Sequence, residues 1–373
     1  MRLQKNWILQ SLIIMLVLIG TLPFTPSRAT GSQIDINELD YIYVLGAYDV
    51  WIEENLAYVT CGYQGMKVFD ISNSSGIKEV GTLVETGGGF AHQIFVKNNI
   101  GYIGNGVGGL KVVDLSNPEV PVVLADYQGF GMYSWAVKVI DDVAFVSNGR
   151  LGNEAGFVIL NVSDPSNPEI IGKYDAEGDA TDIEVIGDYV YITAHNGGFD
   201  IVDVSNYSQP VLVGQYNGVS DSTEIEVIGN LAYLISYESE PKILDISDPT
   251  NISVVSSGFL ITDHQFSIKI ADDLAYIAAL EDGLYVFNVS NPKLPVHFGN
   301  YTGGFGSVYR LVIEDDLIYA TYQEIGLRIL KINGDFESTT VSTPGLGVTI
   351  GLTTFIFIII LKKSNFRKKK TRI

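Results

Sequence analysis

"GGLKVVDLSNPEVPVV", residues 108–123, reads as a strand, a turn and a second strand. Leu110 to Asp114 is rich in Val and Leu, Asn117-Pro118 interrupts it, and Val122 resumes the apolar run. The same phrase returns along the chain. It is GMKVFDIS at 65–72, GFVILNVSDP at 156–165 and GFDIVDVSN at 198–206. It is PKILDISDP at 241–249, GLYVFNVSNP at 283–292 and GLRILKIN at 326–333, where it stops. Self-similarity at a fixed period decides the architecture before any single element does.

A second landmark stands upstream of each copy, an aromatic residue in a short apolar run: Tyr58, Tyr102, Phe145, Tyr191, Tyr233, Tyr276 and Tyr319. The intervals are 44, 43, 46, 42, 43 and 43 residues, and the longest contains the Gly-rich stretch NGRLGNEAG, expected as a hairpin loop. The fourth period shows the internal order most clearly. DIEVI, YVYITA, FDIVDV and PVLVGQY are four strand-like runs separated by Gly, Asn and Pro signals. Four strands in about 40–45 residues, repeated, make one blade of a β-propeller. Seven landmarks predict an all-β, seven-bladed β-propeller over residues 40–333.

Ring closure is a separate prediction. The seventh period has SVYRLVI, LIYATY and GLRILKI but no fourth strand. At the other end, YIYVLGAY (Tyr41 to Tyr48) is similar to fourth-strand runs such as VLVGQY and VHFGNY. The N-terminal strand is therefore expected to complete the last blade, which removes an exposed edge.

The D-x-S-N-P segment has a structural reading. Asp, Ser and Asn side chains bond nearby backbone N–H groups in Asx-type turns, and Pro ends a ladder because it has no N–H. Asp70, Asp114, Asp203 and Asp245, with Asn161 and Asn288 as replacements, are thus expected to shape turns rather than to act chemically. Six N-x-[ST] sequons occur, at Asn73, Asn161, Asn206, Asn251, Asn288 and Asn300, and they are compatible with an outside location.

FDIVDVSN and GLKVVDLSNP resemble the LVIVD repeat, and the resemblance recurs seven times across roughly residues 40–333. It implies a propeller of the kind found in surface-exposed bacterial and archaeal proteins, and it implies no common activity.

The two ends differ from the middle. Residues 1–29 carry Arg2 and Lys5, the apolar run WILQSLIIMLVLIG and a small-x-small site at Ser27-Arg28-Ala29, which is the pattern of a secretory signal peptide. Residues 334–343 read as a linker, 344–361 as a transmembrane helix, and 362–373 as a tail with seven basic residues. The span is slightly short against about 20 residues, and the basic tail places it on the cytoplasmic side with the middle of the chain outside. STPGLG, the apolar run and the basic cluster together resemble the sorting signals of archaeal surface proteins. Residues 30–340 hold 43 acidic and 13 basic residues, a net of −30. That argues against nucleic-acid binding, which needs a basic footprint. The lone Cys61 excludes an intrachain disulfide and reads as a small hydrophobe in a strand.

No G-x-S-x-G, H-E-x-x-H, G-K-[ST] or C-x-x-C motif is present. The Gly-rich GGGFAH at 87–92 and NGVGG at 105–109 join strands and read as turns. Candidate function instead comes from the entrances to the inner strands, which ring one mouth of a propeller's channel. Ten residues before each landmark stand Tyr48, His92, Trp135, Thr181, Thr223, Phe266 and Tyr309. Nine before stand Asp49, Gln93, Ala136, Asp182, Glu224, Ser267 and Arg310. Eight before, every residue is apolar and is expected in the core: Val50, Ile94, Val137, Ile183, Ile225, Ile268 and Leu311.

The predicted ligand-binding rim is Tyr48, Asp49, His92, Gln93, Trp135, Phe266, Tyr309 and Arg310, with aromatics suited to stacking on a sugar or a peptide. In the neighbouring fourth and fifth blades, Asp179, Asp182, Asp221 and Glu224 form a candidate Ca²⁺ site, since Ca²⁺ takes about six to eight oxygen ligands. The expected function is a membrane-anchored cell-surface module that binds a protein, glycan or envelope component. The alternatives are a hydrolase or lyase using His92, His264, Arg310 and rim acids, or a structural surface-layer component. A dense His–acid pocket would favour the enzyme, and an aromatic, acidic rim would favour binding.

Overall fold

Blade 4 shows how the repeat folds. Strand a is Asp179–Ile186, b is Tyr189–His195, c is Gly198–Asp203 and d is Val211–Tyr216, hydrogen-bonded in that order. Adjacent pairs are antiparallel, with Ile183 opposite Ile192 and Val202 opposite Leu212. The structure, a computed structural model, describes residues 34–129, 132–150, 155–195, 197–259, 261, 264–303 and 306–333. The expected signal peptide, linker, transmembrane helix and basic tail lie outside the described residues.

Seven such sheets form the ring, each with the same strand order. The inner strands a begin at Asp49, Ile94, Val137, Asp179, Ser222, Ser267 and Val308. Blade 7 takes its outer strand from the N-terminus. Asp35–Tyr43 runs antiparallel to Gly326–Asn333, with Ile42 opposite Leu327 and Asp35 opposite Asn333. Closure is as expected, but the strand starts earlier and ends at Tyr43 instead of Tyr48. Gly46, at φ 75°, turns the chain so that Tyr48 already belongs to the approach of blade 1. Blade 3 also differs from expectation. NGRLGNEAG is not all loop: strand b extends through Val143–Arg150 and pairs with a two-residue strand, Met132–Tyr133.

Packing follows the predicted positions. The seven apolar residues at the eight-before position, Val50 through Leu311, are 0–4% exposed. The seven landmark aromatics are buried as well. Seven apolar clusters lie between neighbouring blades, and each buried Val, Leu or Ile contributes about 1.5–3 kcal/mol relative to exposure. Glycine is required where blades touch most closely. A Cβ on Gly214 in strand d of blade 4 would collide with the Pro249 carbonyl in the c–d turn of blade 5, and Gly172 meets Tyr207 in the same way.

The D-x-S turns form as predicted. The Oδ1 atoms of Asp70, Asp114, Asn161, Asp203, Asp245 and Asn288 accept the N–H two residues on, at 2.8–3.0 Å. Asn161 and Asn288 thus occupy the Asp role within their sequons. Cys61 is buried, and burial pushes its thiol up to about 12, in keeping with a small hydrophobe in the core.

Candidate functional site: an aromatic mouth over a charged channel

The d–a connections deliver the chain to the channel mouth, and strand alternation then decides what each residue faces. Along the inner strands the eight-before residues are buried in the core between blades, while Asp49, Gln93, Asp182, Glu224 and Arg310 of the nine-before column line the channel and Ala136 packs into the core between blades 3 and 4. The ten-before residue sits at the mouth.

All eight predicted rim residues line a single open cup of about 310 Å³. Two further aromatics, Phe90 and Tyr133, complete its wall. The rings form a continuous arc through blades 6, 7, 1, 2 and 3. Phe266 lies 4.7 Å from Tyr309, Tyr309 lies 5.3 Å from Tyr48, and Tyr48 lies 4.7 Å from Phe90. Phe90 lies 4.6 Å from His92, His92 lies 4.2 Å from Trp135, and Trp135 lies 5.1 Å from Tyr133. These centroid spacings are those of offset and edge-to-face contacts. On the other side of the mouth, blades 4 and 5 supply Thr181 and Thr223, whose hydroxyls donate to Ser222 O at 2.7 Å and Gln265 O at 3.2 Å. These two threonines hold neighbouring blades together and do not line the cup.

Phe90 and Tyr133 were missed by reading one column at a time. Each stands two residues before a rim aromatic, Phe90-x-His92 and Tyr133-x-Trp135, and residues two apart on a strand share a face. The same offset gives His264 before Phe266, but His264 has φ 80°, which turns it off that face. It is exposed, lies tilted against Tyr237 with ring centroids 4.6 Å apart and does not line the cup.

His92 is 8% exposed, and its Nε2 is 3.3 Å from the Tyr133 hydroxyl. Burial first, and the Arg310 charge second, push its pKa down to about 3. It is therefore a neutral ring in the wall at physiological pH. Among the described residues no carboxylate is hydrogen-bonded to it, so His92 does not form the kind of His–acid cluster that would favour the enzyme reading.

The floor of the cup is ionic. Glu224 is 3% exposed, and its carboxylate accepts the Ile268 N–H at 2.8 Å and Lys269 Nζ at 2.9 Å. Arg310 lies 2.6 Å from the same carboxylate. Burial alone would raise the Glu224 pKa, but Arg310 and Lys269 overcome that and hold it at about 2. Asp182 accepts the Ile225 N–H at 3.1 Å and the Gln93 side-chain amide at 2.9 Å. Asp49 accepts the Ile94 N–H at 2.9 Å, and burial pushes it up to about 6 against the pull of Arg310. Burial and the nearby Glu224 raise Asp182.

One rule covers these acids: each reaches across to the inner-strand N–H of the next blade. Asp49 serves blade 2, Asp182 serves blade 5 and Glu224 serves blade 6. Below them the channel continues past Lys138, which pairs with Glu184 at 2.9 Å, to a far mouth where Lys269 also meets Glu226 at 3.1 Å.

The four residues of the expected Ca²⁺ site do not share one cluster. Asp182 and Glu224 direct their oxygens to backbone and cationic partners in the channel. Asp179 and Asp221 stand at the start of blades 4 and 5, with Asp221 3.3 Å from His195 Nδ1. Among the described residues no group of three or more His, Cys, Asp or Glu side chains is placed to hold a metal ion.

Comparison with known proteins agrees with this architecture. The LVIVD repeat matches at residues 46–84, 88–128, 133–176, 177–218, 220–258 and 265–303, which together exceed half the chain. No curated protein matches. Among solved structures, the chain is similar to the WD40 β-propeller domain of Doa1, with TM-score 0.62 and 11% identity over 80% of this chain and 97% of that one. It is similar to the β-propeller domain of Cps50 (Swd1) from Myceliophteria thermophila, with TM-score 0.61 and 10% identity over 80% and 100%. It is also similar to the computationally designed Ika8 protein, with TM-score 0.59 and 13% identity over 79% and 99%. At these identities the likeness concerns the fold alone. Six matched repeats, and a seventh blade closed by the N-terminal strand, establish that this chain belongs to the LVIVD-repeat family of β-propellers.

Proposed function

We propose that this protein is a cell-surface binding module whose aromatic channel mouth takes a group projecting from a protein, glycan or envelope component. The observation that carries this reading is the lopsided mouth. Five blades place rings around one cup, while the two remaining blades place small threonines that only tie blades together. Packing and closure need no such asymmetry. Aromatic walls give large contact area at low entropy cost, and a few polar groups at the floor orient what enters.

Localisation belongs to the same reading. The signal-like residues 1–29 and the apolar span 344–361 with its basic tail would hold the propeller outside the membrane. The chain leaves blade 7 at Asn333, at the end of the sheet away from Tyr309 and Arg310.

The test is an array of glycans and envelope peptides probed with the wild-type protein and a Trp135→Ala, Tyr309→Ala variant. The reading expects discrete binders that the variant loses while its melting temperature is kept. Binders retained in full by the variant would place recognition elsewhere on the propeller.

A further inference from the structure

The channel below the cup is not electrically balanced. Along it the described residues Asp49, Asp182, Glu184, Glu224 and Glu226 supply five carboxylates, and Lys138, Lys269 and Arg310 supply three cations. Glu314 at the far mouth adds a further acid. Counted formally, acids exceed cations by two within a narrow, partly desolvated column, where charge is screened less than at an open surface, and because burial raises Asp49, Asp182 and Glu226 the full excess develops as pH rises. Every cation in the column is already committed. Arg310 is held by Glu224, Lys269 by Glu224 and Glu226, and Lys138 by Glu184.

Above this column stand the aromatic rings that line the cup, whose faces carry the negative side of the aromatic quadrupole. The molecule already uses this attraction internally, since the Arg310 guanidinium lies 5.9 Å from the centroid of Phe266. The mouth brings further negative charge. Glu324 acts on both Tyr48 and Tyr309, and the blades 4 and 5 that lack rings begin at Asp179 and with Asp221. Among the residues lining the cup, Arg310 carries the one fixed positive charge, and His92 is a neutral ring.

Resting on the reading of this cup as a ligand site, we propose that it selects a compact organic cation, an alkylammonium ion of the choline type, held by cation–π attraction above the excess negative charge of the channel. The size is suitable. About 310 Å³ lies at the small end of the range of roughly 300–1,000 Å³ found for ligand pockets. A quaternary ammonium has no N–H to satisfy and weak hydration, so aromatic walls can surround it without leaving a polar group unpaired. A carboxylate or phosphate ligand would instead meet a column that is already negative.

The experiment is calorimetric titration of the full-length protein with tetramethylammonium, with choline and with choline's neutral carbon isostere, dimethylbutanol. The expected result is binding of both cations, about tenfold tighter for choline than for the isostere. Trp135→Ala should abolish the binding. Glu226→Gln, which lies at the far mouth and touches nothing in the cup, should weaken choline about twofold or more and leave the isostere unchanged. That variant keeps the test informative if Trp135→Ala fails to fold. Equal affinity for choline and its isostere would overturn the charge selection while leaving the cup as a ligand site. The same holds if the cations fail to bind and an array ligand still enters the cup. If no cation binds and no array ligand depends on Trp135, both readings fail. Vesicles with phosphocholine headgroups, run beside phosphatidylglycerol vesicles, separate the sources of the cation. Sedimentation with the first alone assigns a lipid headgroup, and binding of free choline without either vesicle assigns a free solute.

Discussion

Glu224 is the residue whose loss should be felt most. Its carboxylate is almost fully buried and holds the Ile268 N–H, Lys269 and Arg310 at 2.6–2.9 Å. Its fall from 4.5 to about 2 corresponds to about 3 kcal/mol of preference for the charged form in the folded state. Removing one partner of a buried ion pair also strands the other, at a cost of about 3–5 kcal/mol. Glu224→Gln keeps an acceptor for Ile268 N and loses the charge, so a loss of about 3 kcal/mol is expected. Glu224→Ala gives up the backbone bond as well, worth about 1 kcal/mol more. Urea unfolding at pH 7 reads both as a lower midpoint with an unchanged m value. The sign with pH is set by the depressed pKa: the stabilisation is full above pH 4.5 and is lost as pH falls through about 2. The gap between wild type and Glu224→Gln should therefore close in strong acid. A loss below about 1 kcal/mol for both variants at pH 7 would show that the charge is solvated and that the channel is not the tight ionic plug described above.

Asp49 should behave in the opposite way. Its folded pKa of about 6 lies above the ordinary 3.8, so its contribution is full below pH 3.8 and disappears as pH rises through about 6. Up to about 3 kcal/mol is involved, and Asp49→Asn should flatten the stability profile over that window in pH-dependent urea melts. Gly214→Ala should lower stability by about 2 kcal/mol or more, because its Cβ would meet the Pro249 carbonyl of the next blade. A thermal midpoint within a degree of wild type would contradict that close approach. Asp203→Ala should lower the thermal midpoint slightly through the lost bond from Ser205 N–H, without changing binding at the cup on the array. Deleting residues 34–43 should expose the edge of Gly326–Asn333, and light scattering should report association, whereas a stable monomer would contradict closure by that strand.

The fold was legible because a propeller writes the same constraints in every period. The core column of Val50, Ile94, Val137, Ile183, Ile225, Ile268 and Leu311 is uniform, since each residue fills the same space between blades. The D-x-S turns recur because each c–d connection must supply a side-chain acceptor for the same backbone N–H. Most of the cup was legible for the complementary reason: the ten-before and nine-before columns vary while their neighbours do not.

What the sequence hid depends on backbone detail and on reach. His264, a residue of the enzyme alternative, precedes Phe266 by two, and a single positive φ takes it off the face that Phe266 shares. Phe90 and Tyr133 lie in connections without strong periodic signal, yet they complete the wall. Asp182 and Glu224 looked like free oxygen ligands. Matching offsets reveal that acids recur, but not that each carboxylate is long enough to bond the N–H of the following blade.

The central claim is that the aromatic mouth is where this protein meets its ligand. The most direct measurement is hydrogen exchange of the full-length protein with and without an extract of its own envelope. Slowed exchange is expected in the segments that form the cup, residues 47–49, 90–93, 133–136, 265–267 and 307–310, with little change in the D-x-S turns. Protection confined to those turns or to the outer strands, with the cup segments unaffected, would contradict it.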